Sequence, residues 1–242
     1  MPTEEGTPHA HSAGTVRRFE TREDLIAALA ERLGRVFSLA GAAVMLSGGN
    51  TPLPAYREIA RRGLKPASGL TLFYSDDRYV PSTSEGSNYH QTLPLLQALA
   101  LPEDRVLRVR TELPLPEAAL DYERKLAAVA DRGDRIALGL LGLGEDGHTA
   151  SLFSSGDLER AAGRLAIAVH RPDGRDAVSV TPTVFARIQQ IVFIVAGADK
   201  RVPLAQLIAH STDSVAWRAV SAAASVEVWA DASAWPDPPQ KL

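Results

Sequence analysis

The stretch Ile136-Ala-Leu-Gly-Leu-Leu-Gly-Leu-Gly-Glu-Asp-Gly-His148-Thr-Ala-Ser-Leu-Phe153 decides how this chain is read. Its first half is an unbroken apolar run of strand length, the pattern of a parallel strand buried on both faces. Its second half changes at once to Gly142, Gly144 and Gly147 around Glu145, Asp146 and His148. Open parallel sheets bind their ligands beyond the carboxyl ends of the strands. The stretch therefore predicts a central strand that carries an imidazole and a carboxylate into such a crevice. Its glycines would let a substrate approach the backbone. A glycine-rich turn with a surface histidine is the bland alternative. The pairing of Asp146 with His148 at a strand end weighs against it.

The same pattern recurs outward from this point. Residues 42–46 read as a short apolar strand that runs into Ser47-Gly48-Gly49-Asn50-Thr51-Pro52. Thr51 and Pro52 are expected as N-cap and first residue of a helix reaching Arg62. Strand, glycine turn and helix N-terminus aim backbone N–H groups and the positive dipole end at one point, which suits a phosphate. The turn is neither a Walker A loop nor a dinucleotide fingerprint, and a tight turn without a ligand is the alternative. Residues 70–75 form the next strand, followed by Asp76-Asp77-Arg78, which reads either as a ligand site or as a solvated turn. Ser87-Asn88 caps a helix that Pro94 is expected to bend or end early.

The remaining elements follow from periodicity. Residues 16–20 form a first strand, and Thr21 to Asp24 open a helix with Leu25, Ile26, Leu29, Leu33 and Phe37 on one face. Residues 106–109 are a weak strand, and residues 116–129 a helix that buries Leu120, Leu126 and Val129. Strands at 165–170 and 178–181 flank the turn Pro172-Asp-Gly-Arg175, with His170 a strand-end residue without chemistry. Thr181-Pro182 opens a capped helix. Residues 191–196 form a second fully apolar strand, and Gly197-Ala-Asp-Lys200 begins a helix ending near His210. Lys200 is then a candidate anion ligand or a solvated lysine. Residues 226–230 are the last strand, and 235–242 a proline-rich tail. Strands and helices alternate without a linker. The fold class is thus α/β, a single doubly wound, mostly parallel sheet flanked by helices. One domain is expected over residues 15–242, after a disordered tail at 1–14 that holds His9 and His11 without a role.

The 242 residues are 45% hydrophobic and 23% charged with a formal net charge of −3, so composition gives no reason to expect nucleic acid. Cysteine is absent, which removes disulfides, thiolate nucleophiles and thiolate zinc sites. No apolar run approaches the ~20 residues of a membrane helix. With no apolar leader in residues 1–14 either, a cytoplasmic location is expected. No Gly-X-Ser-X-Gly elbow is present, nor two histidines and a carboxylate at metal-ligand spacing. What fits is a phosphorylated small molecule, anchored at one end and attacked by acid–base chemistry at the other, with no metal. No membrane partner is expected, and the chain is expected as a monomer or weak homodimer.

Four motifs together resemble those of the 6-phosphogluconolactonase family. They are Ser47-Gly-Gly-Asn-Thr-Pro52, Asp76-Asp-Arg-Tyr-Val-Pro81 with Ser87-Asn88, Gly142 to Phe153, and Gly197-Ala-Asp-Lys200. They stand in the family's order and spread over most of the chain. The resemblance implies the Rossmann-like α/β fold shared with glucosamine-6-phosphate deaminases. It also implies hydrolysis of 6-phospho-D-glucono-1,5-lactone to 6-phospho-D-gluconate in the oxidative pentose phosphate pathway, without cofactor or metal. Carried over residue by residue, it makes His148 the general base, Asp146 its orienting partner and Arg78 a neighbour of the lactone or nascent carboxylate. It makes Ser47, Gly48, Gly49, Asn50, Thr51 and Lys200 the phosphate holders, with Asp76, Asn88 and Gly144 in the substrate site.

Two departures from the family pattern stand out. Asp77 replaces a glutamate, and it is the second candidate for activating water. Ala177 stands where the family has an arginine, and Arg175 is expected to replace part of that contact from the same face of the strand. An amino-sugar phosphate deaminase is the runner-up, but its Asn-Glu-Pro after the histidine loop is Thr149-Ala-Ser-Leu-Phe-Ser here. A sugar-phosphate-binding module without catalysis is the third reading.

Overall fold

The computed structural model describes residues 15–236; the tail expected at 1–14, and residues 237–242 of the tail expected at 235–242, lie outside the described residues. The centre is a seven-stranded sheet whose paired strands are all parallel. In chain order its strands are β1 (Thr15–Phe19), β2 (Ala42–Leu46), β3 (Thr71–Tyr74), β5 (Val106–Leu107), β6 (Arg135–Leu141), β9 (Ile191–Val195) and β10 (Val226–Asp231). Across the sheet the order is β1-β10-β9-β6-β2-β3-β5. From β2 the chain first winds outward through β3 to β5, then returns to β6 and winds the other way. The order therefore reverses between β2 and β6, and the loops leaving those two strands part there to open a crevice.

Period-two alternation explains why the strands read as continuous apolar runs. Ala43 and Met45 of β2 point to one face. There they meet α4 (Leu115–Asp131), α7 (Arg201–Ile208) and α8 (Val215–Val220) through Tyr122, Leu126, Leu204 and Ala216. Val44 and Leu46 point to the other face. There α1 (Arg22–Phe37), α2 (Leu53–Arg62) and α3 (Asn88–Leu99) supply Leu29, Leu33, Ile59 and Leu95. Both sets are buried, so each strand residue is apolar whichever way it points.

Local expectations failed wholly or in part in four places, each for a physical reason. Helix α3 does not end early at Pro94, because Thr92, Leu95, Leu96 and Leu99 are buried on both sides of the lost hydrogen bond and tertiary packing outweighs it. Leu120 is 41% exposed. The inward stripe of α4 is instead Ala118, Ala119, Tyr122, Leu126 and Val129, one face at helical spacing. Pro52, not Thr51, is the N-cap of α2 and lacks a side-chain cap bond, which leaves Thr51 in the loop before it. Thr181 is the N-cap residue of the short helix α6 (Pro182–Phe185), as expected, but its side chain makes no cap bond; its hydroxyl donates to the Arg164 carbonyl.

A small three-stranded sheet stands beside the doubly wound one. Asp76–Arg78 is a short strand, β4, which pairs antiparallel with β8 (Asp176–Val180), itself antiparallel to β7 (Ala166–His170). β4 lies in the crossover after β3, and β7 and β8 lie in the crossover between β6 and β9. The small sheet thus joins two crossovers far apart in sequence, as one wall beside the crevice.

Candidate active site

Loops at the carboxyl ends of β2, β6 and β9, together with β4 and the β7–β8 hairpin, line a cleft of about 500 Å³. Ser47, Gly48, Gly49, Asn50 and Thr51 enter from β2, Gly144 and His148 from β6, and Lys200 from the turn after β9. Asp76, Arg78 and Asn88 enter from β4 and the start of α3. Of the residues singled out in the sequence, all of these are brought together. Asp146 stands behind His148. Arg175 lies elsewhere.

The β2 loop packs tightly against α3. A β carbon on Gly48 would lie 1.9 Å from Asn88 Oδ1, so no side chain fits there. Gly49 has a φ of +93°, in the region that glycine adopts without strain. The Tyr56 hydroxyl, wholly buried in α2, donates to the Ser47 carbonyl at 2.9 Å and fixes the start of the loop. Arg22, the first residue of α1, also lines the cleft and donates to the Asn50 carbonyl at 2.8 Å. Lys200 pairs with Asp199 at 2.9 Å, and that contact holds the Asp199 carboxyl below its usual range. Arg22 is therefore tied to the glycine loop, and Lys200 lines the same cleft.

His148 and Asp146 form the centre of the second half. Their Nδ1 and Oδ1 atoms are 2.5 Å apart, and the His148 backbone N–H donates to the same oxygen at 3.1 Å. Partial burial pushes the Asp146 carboxyl up, but these two bonds outweigh it and hold the group below its usual range. An ionised Asp146 requires the shared proton on Nδ1. In the neutral ring that leaves the lone pair on Nε2, where among the described residues no hydrogen bond is made. Gly144 makes the pair possible, since a β carbon there would lie 2.1 Å from His148 Nδ1 and 2.4 Å from Asp146 Oδ1. The Phe153 ring packs on the imidazole with centroids 4.3 Å apart.

The β4 wall is a chain of side chains anchored on buried Asp76. Its Oδ1 accepts from Ser75 at 3.0 Å and Asn88 Nδ2 at 3.4 Å, and its Oδ2 accepts from Ser151 at 2.7 Å. Asn88 Oδ1 accepts in turn from the Arg78 guanidinium. Asp77 points away from this network. Its carboxylate accepts from the Asn88 and Tyr89 backbone at 2.7 and 3.2 Å and from the Ser87 hydroxyl at 3.0 Å, so it caps α3. Burial pushes its carboxyl up to about 6 against those bonds. It does not line the cleft, which removes it as a candidate for activating water.

Arg175 also departs from expectation. Its side chain is 61% exposed and bonds Asp173 across the hairpin turn at 2.7 Å, outside the cleft. The hairpin arginine that does line the cleft is Arg171, with a side chain only 12% exposed. Sequence reasoning missed both Arg171 and Arg22. Alternation back from Ala177 along the strand reaches only Arg175. The cross-strand pair Val169–Ala177 is what puts Arg171 on that same face, and pairing of that kind is invisible in one strand.

Residues 20–229 match the family described as Glucosamine-6-phosphate isomerases/6-phosphogluconolactonase. The chain belongs to that family. A curated 6-phosphogluconolactonase from Synechocystis is 37% identical over 176 residues, 70% of this chain and 72% of its own. The 6-phosphogluconolactonase of Homo sapiens is 33% identical over 218 residues, 82% of this chain and 83% of its own. The crystal structure of 6-phosphogluconolactonase from Thermotoga maritima superposes with a TM-score of 0.76 at 25% identity, covering 90% of this chain and 99% of that one. A monomeric glucosamine-6-phosphate deaminase superposes with a TM-score of 0.77 at 19% identity, over 91% of this chain and 98% of its own. That likeness shows the shared fold alone. In this chain the Asp146–His148 pair sits on a loop that then turns tightly through a bridge between Thr149 and Leu152. Among the described residues no helix is long and apolar enough to cross a membrane, and no cluster of three His, Cys, Asp or Glu could hold a metal.

Proposed function

We propose that the cleft hydrolyses 6-phospho-D-glucono-1,5-lactone to 6-phospho-D-gluconate, with His148 activating the attacking water. One observation carries this reading: an imidazole held through Nδ1 by a carboxylate lines one cleft with a glycine loop, Arg22 and Lys200. A phosphate fits the backbone of Gly48 to Thr51 near the start of α2, with Arg22 and Lys200 lining the same cleft. That anchorage presents the lactone carbonyl to the other end of the cleft.

There Nε2 takes a proton from water as its oxygen attacks the carbonyl carbon. Asp146 stabilises the imidazolium that forms. Arg78 donates to the oxygen on which negative charge develops, where preorganised donors lower the barrier most. Collapse of the tetrahedral intermediate breaks the bond to the ring oxygen, which takes the proton back from Nε2. The products are a hydroxyl and a carboxylic acid, which gives its proton to solvent to become the carboxylate, and no cofactor takes part. The lactonase names of the curated relatives support the same reaction class.

The decisive measurement is acid release from freshly prepared 6-phosphogluconolactone, corrected for spontaneous opening, with EDTA-treated protein. The expected result is a rate well above the buffer control. His148→Ala is expected to lower kcat by ~10²–10⁴-fold with little change in KM, because a general base acts in the transition state. Activity restored only by zinc, or near wild-type kcat in His148→Ala, would overturn the mechanism. Ammonia release from glucosamine-6-phosphate would replace the lactonase reading with deamination.

A further inference from the structure

The cleft's cations fall into two pairs with separate anchors. Arg22 and Lys200 are tied to the glycine loop and to the turn after β9, through the Asn50 carbonyl and Asp199. Arg78 and Arg171 are both tied to Asp76. Arg78 reaches it through Asn88, and Arg171 reaches it through Ser151, whose Oγ accepts from Nη1 at 3.2 Å. Each of these two guanidiniums is thus one bridging side chain away from the same buried carboxylate.

Strand register explains why they converge. Arg78 pairs with Ala177 and Ala177 with Val169, so these three side chains share one face of the small sheet. Arg171 lies two residues beyond Val169 and starts on that face as well. Its guanidinium stacks 5.1 Å from the centre of the Phe153 ring, whose other neighbour is His148. The head is therefore held on the reaction side of the cleft. The same guanidinium also pairs with Asp173 of the hairpin turn at 3.2 Å.

We infer that Arg171 is a specificity-determining residue that, with Arg78, binds the carboxylate end of the open sugar acid and the oxyanion preceding it. The inference rests on the lactonase reading. That reaction's product carries two anionic groups, a phosphate and a new carboxylate, and the cleft offers one pair of cations for each. Arg22 and Lys200 take the phosphate, and Arg78 and Arg171 take the carboxylate. A fork of donors matches a carboxylate better than the point charge of a lysine does.

Two ligands that differ only in the carboxylate test it: 6-phosphogluconate, and glucitol 6-phosphate, which ends in an alcohol. Both are used as competitive inhibitors of wild type and Arg171→Gln, alongside the kinetics of lactone opening. A charge-assisted contact predicts that Arg171→Gln weakens 6-phosphogluconate by roughly tenfold or more and leaves glucitol 6-phosphate within about twofold. Arg171→Lys is expected to recover only part of the loss. An equal loss for both ligands would move Arg171 to the phosphate and overturn the inference. So would no loss for either, which would reduce Arg171 to packing on Phe153. An unchanged melting temperature identifies folded variants; should Arg171→Gln misfold, Arg171→Lys carries the same comparison. A wild type that neither opens the lactone nor binds 6-phosphogluconate would instead fail the lactonase reading itself.

Discussion

The two walls of the cleft are built on different principles. One wall consists of the loops leaving β2, β6 and β9, and each places its groups by its own backbone. The Gly144–His148 turn closes on itself through Gly144 N–H to the His148 carbonyl at 2.8 Å and Gly147 N–H to the Gly144 carbonyl at 3.1 Å. The other wall, of β4, β7 and β8, places its groups through side chains drawn from four distant segments: Asp76, Asn88, Ser151 and Arg171. A backbone-built wall is fixed by a few adjacent residues. A wall built of side chains depends on long-range strand pairing. The first should respond sharply to a single added methyl group, and the second to the loss of a polar link.

The sharpest way to break the first wall is Gly144→Ala. The added β carbon falls 2.1 Å from His148 Nδ1, well inside contact distance, so the dyad must separate or the loop must move. Misplacing a catalytic group by about 1 Å costs ~10²-fold. The expected outcome is a fall in kcat of that order, with KM for the lactone within a few-fold and the melting temperature nearly unchanged. Steady-state kinetics and a thermal melt check it. A variant with wild-type kcat would show that the close approach of Gly144 does not position the dyad.

The same contrast explains what could be read in the sequence. The sheet-end loops were legible because each signal is local: an apolar run, glycines, then polar residues within a handful of positions. His148, Asp146, Lys200 and Ser47 to Thr51 all come from such signals. β4 was not legible as a strand, because Asp76-Asp-Arg has no apolar alternation; only its partner β8 makes it one. Arg171 was hidden because it faces the cleft through the register of β7 on β8, and nothing adjacent to it in sequence marks that face. Arg22 was hidden for a related reason. It looks like one more charged residue in a helix's first turn until the start of α1 is docked on the β2 loop. Asp77 was misjudged because an acid next to a cleft residue in sequence points to the opposite face on a strand.

Asp77 also gives a smaller effect that separates structural from catalytic acids. Its carboxyl is pushed up to about 6 in the folded protein, above its ordinary value of 3.8. Between those two values the folded state binds more protons than the unfolded one, so this group's contribution to stability falls as pH rises from about 4 to about 6. Asp77→Asn removes the titration. Urea unfolding of the two proteins across that window should show the wild type losing stability relative to the variant, on the order of 2 kcal/mol. A pH-independent difference would mean that the three donors at the start of α3 hold the carboxylate ionised throughout. In either case kcat for lactone opening should change little at a fixed pH near 7, because the carboxylate caps α3 outside the cleft.

The smallest effect expected is at Arg175, and it tests the side-chain-built wall by omission. Arg175 and Arg171 flank one hairpin turn, and both donate to Asp173, whose carboxyl they hold well below the usual range. Only Arg171 also reaches Ser151 and Phe153 and lines the cleft. Arg175 points to solvent, where an exposed ion pair contributes ~0–1 kcal/mol and a long side chain gives up entropy to hold it. Arg175→Ala should therefore leave KM and kcat for the phosphorylated lactone within about twofold and stability within ~0.5 kcal/mol. A rise in KM of tenfold would mean that the hairpin turns inward on binding and delivers Arg175 instead. Steady-state kinetics on Arg175→Ala and Arg171→Gln side by side decide which arginine the hairpin supplies. The register of β7 on β8 favours Arg171, because Val169 opposite Ala177 fixes the face on which residue 171 begins.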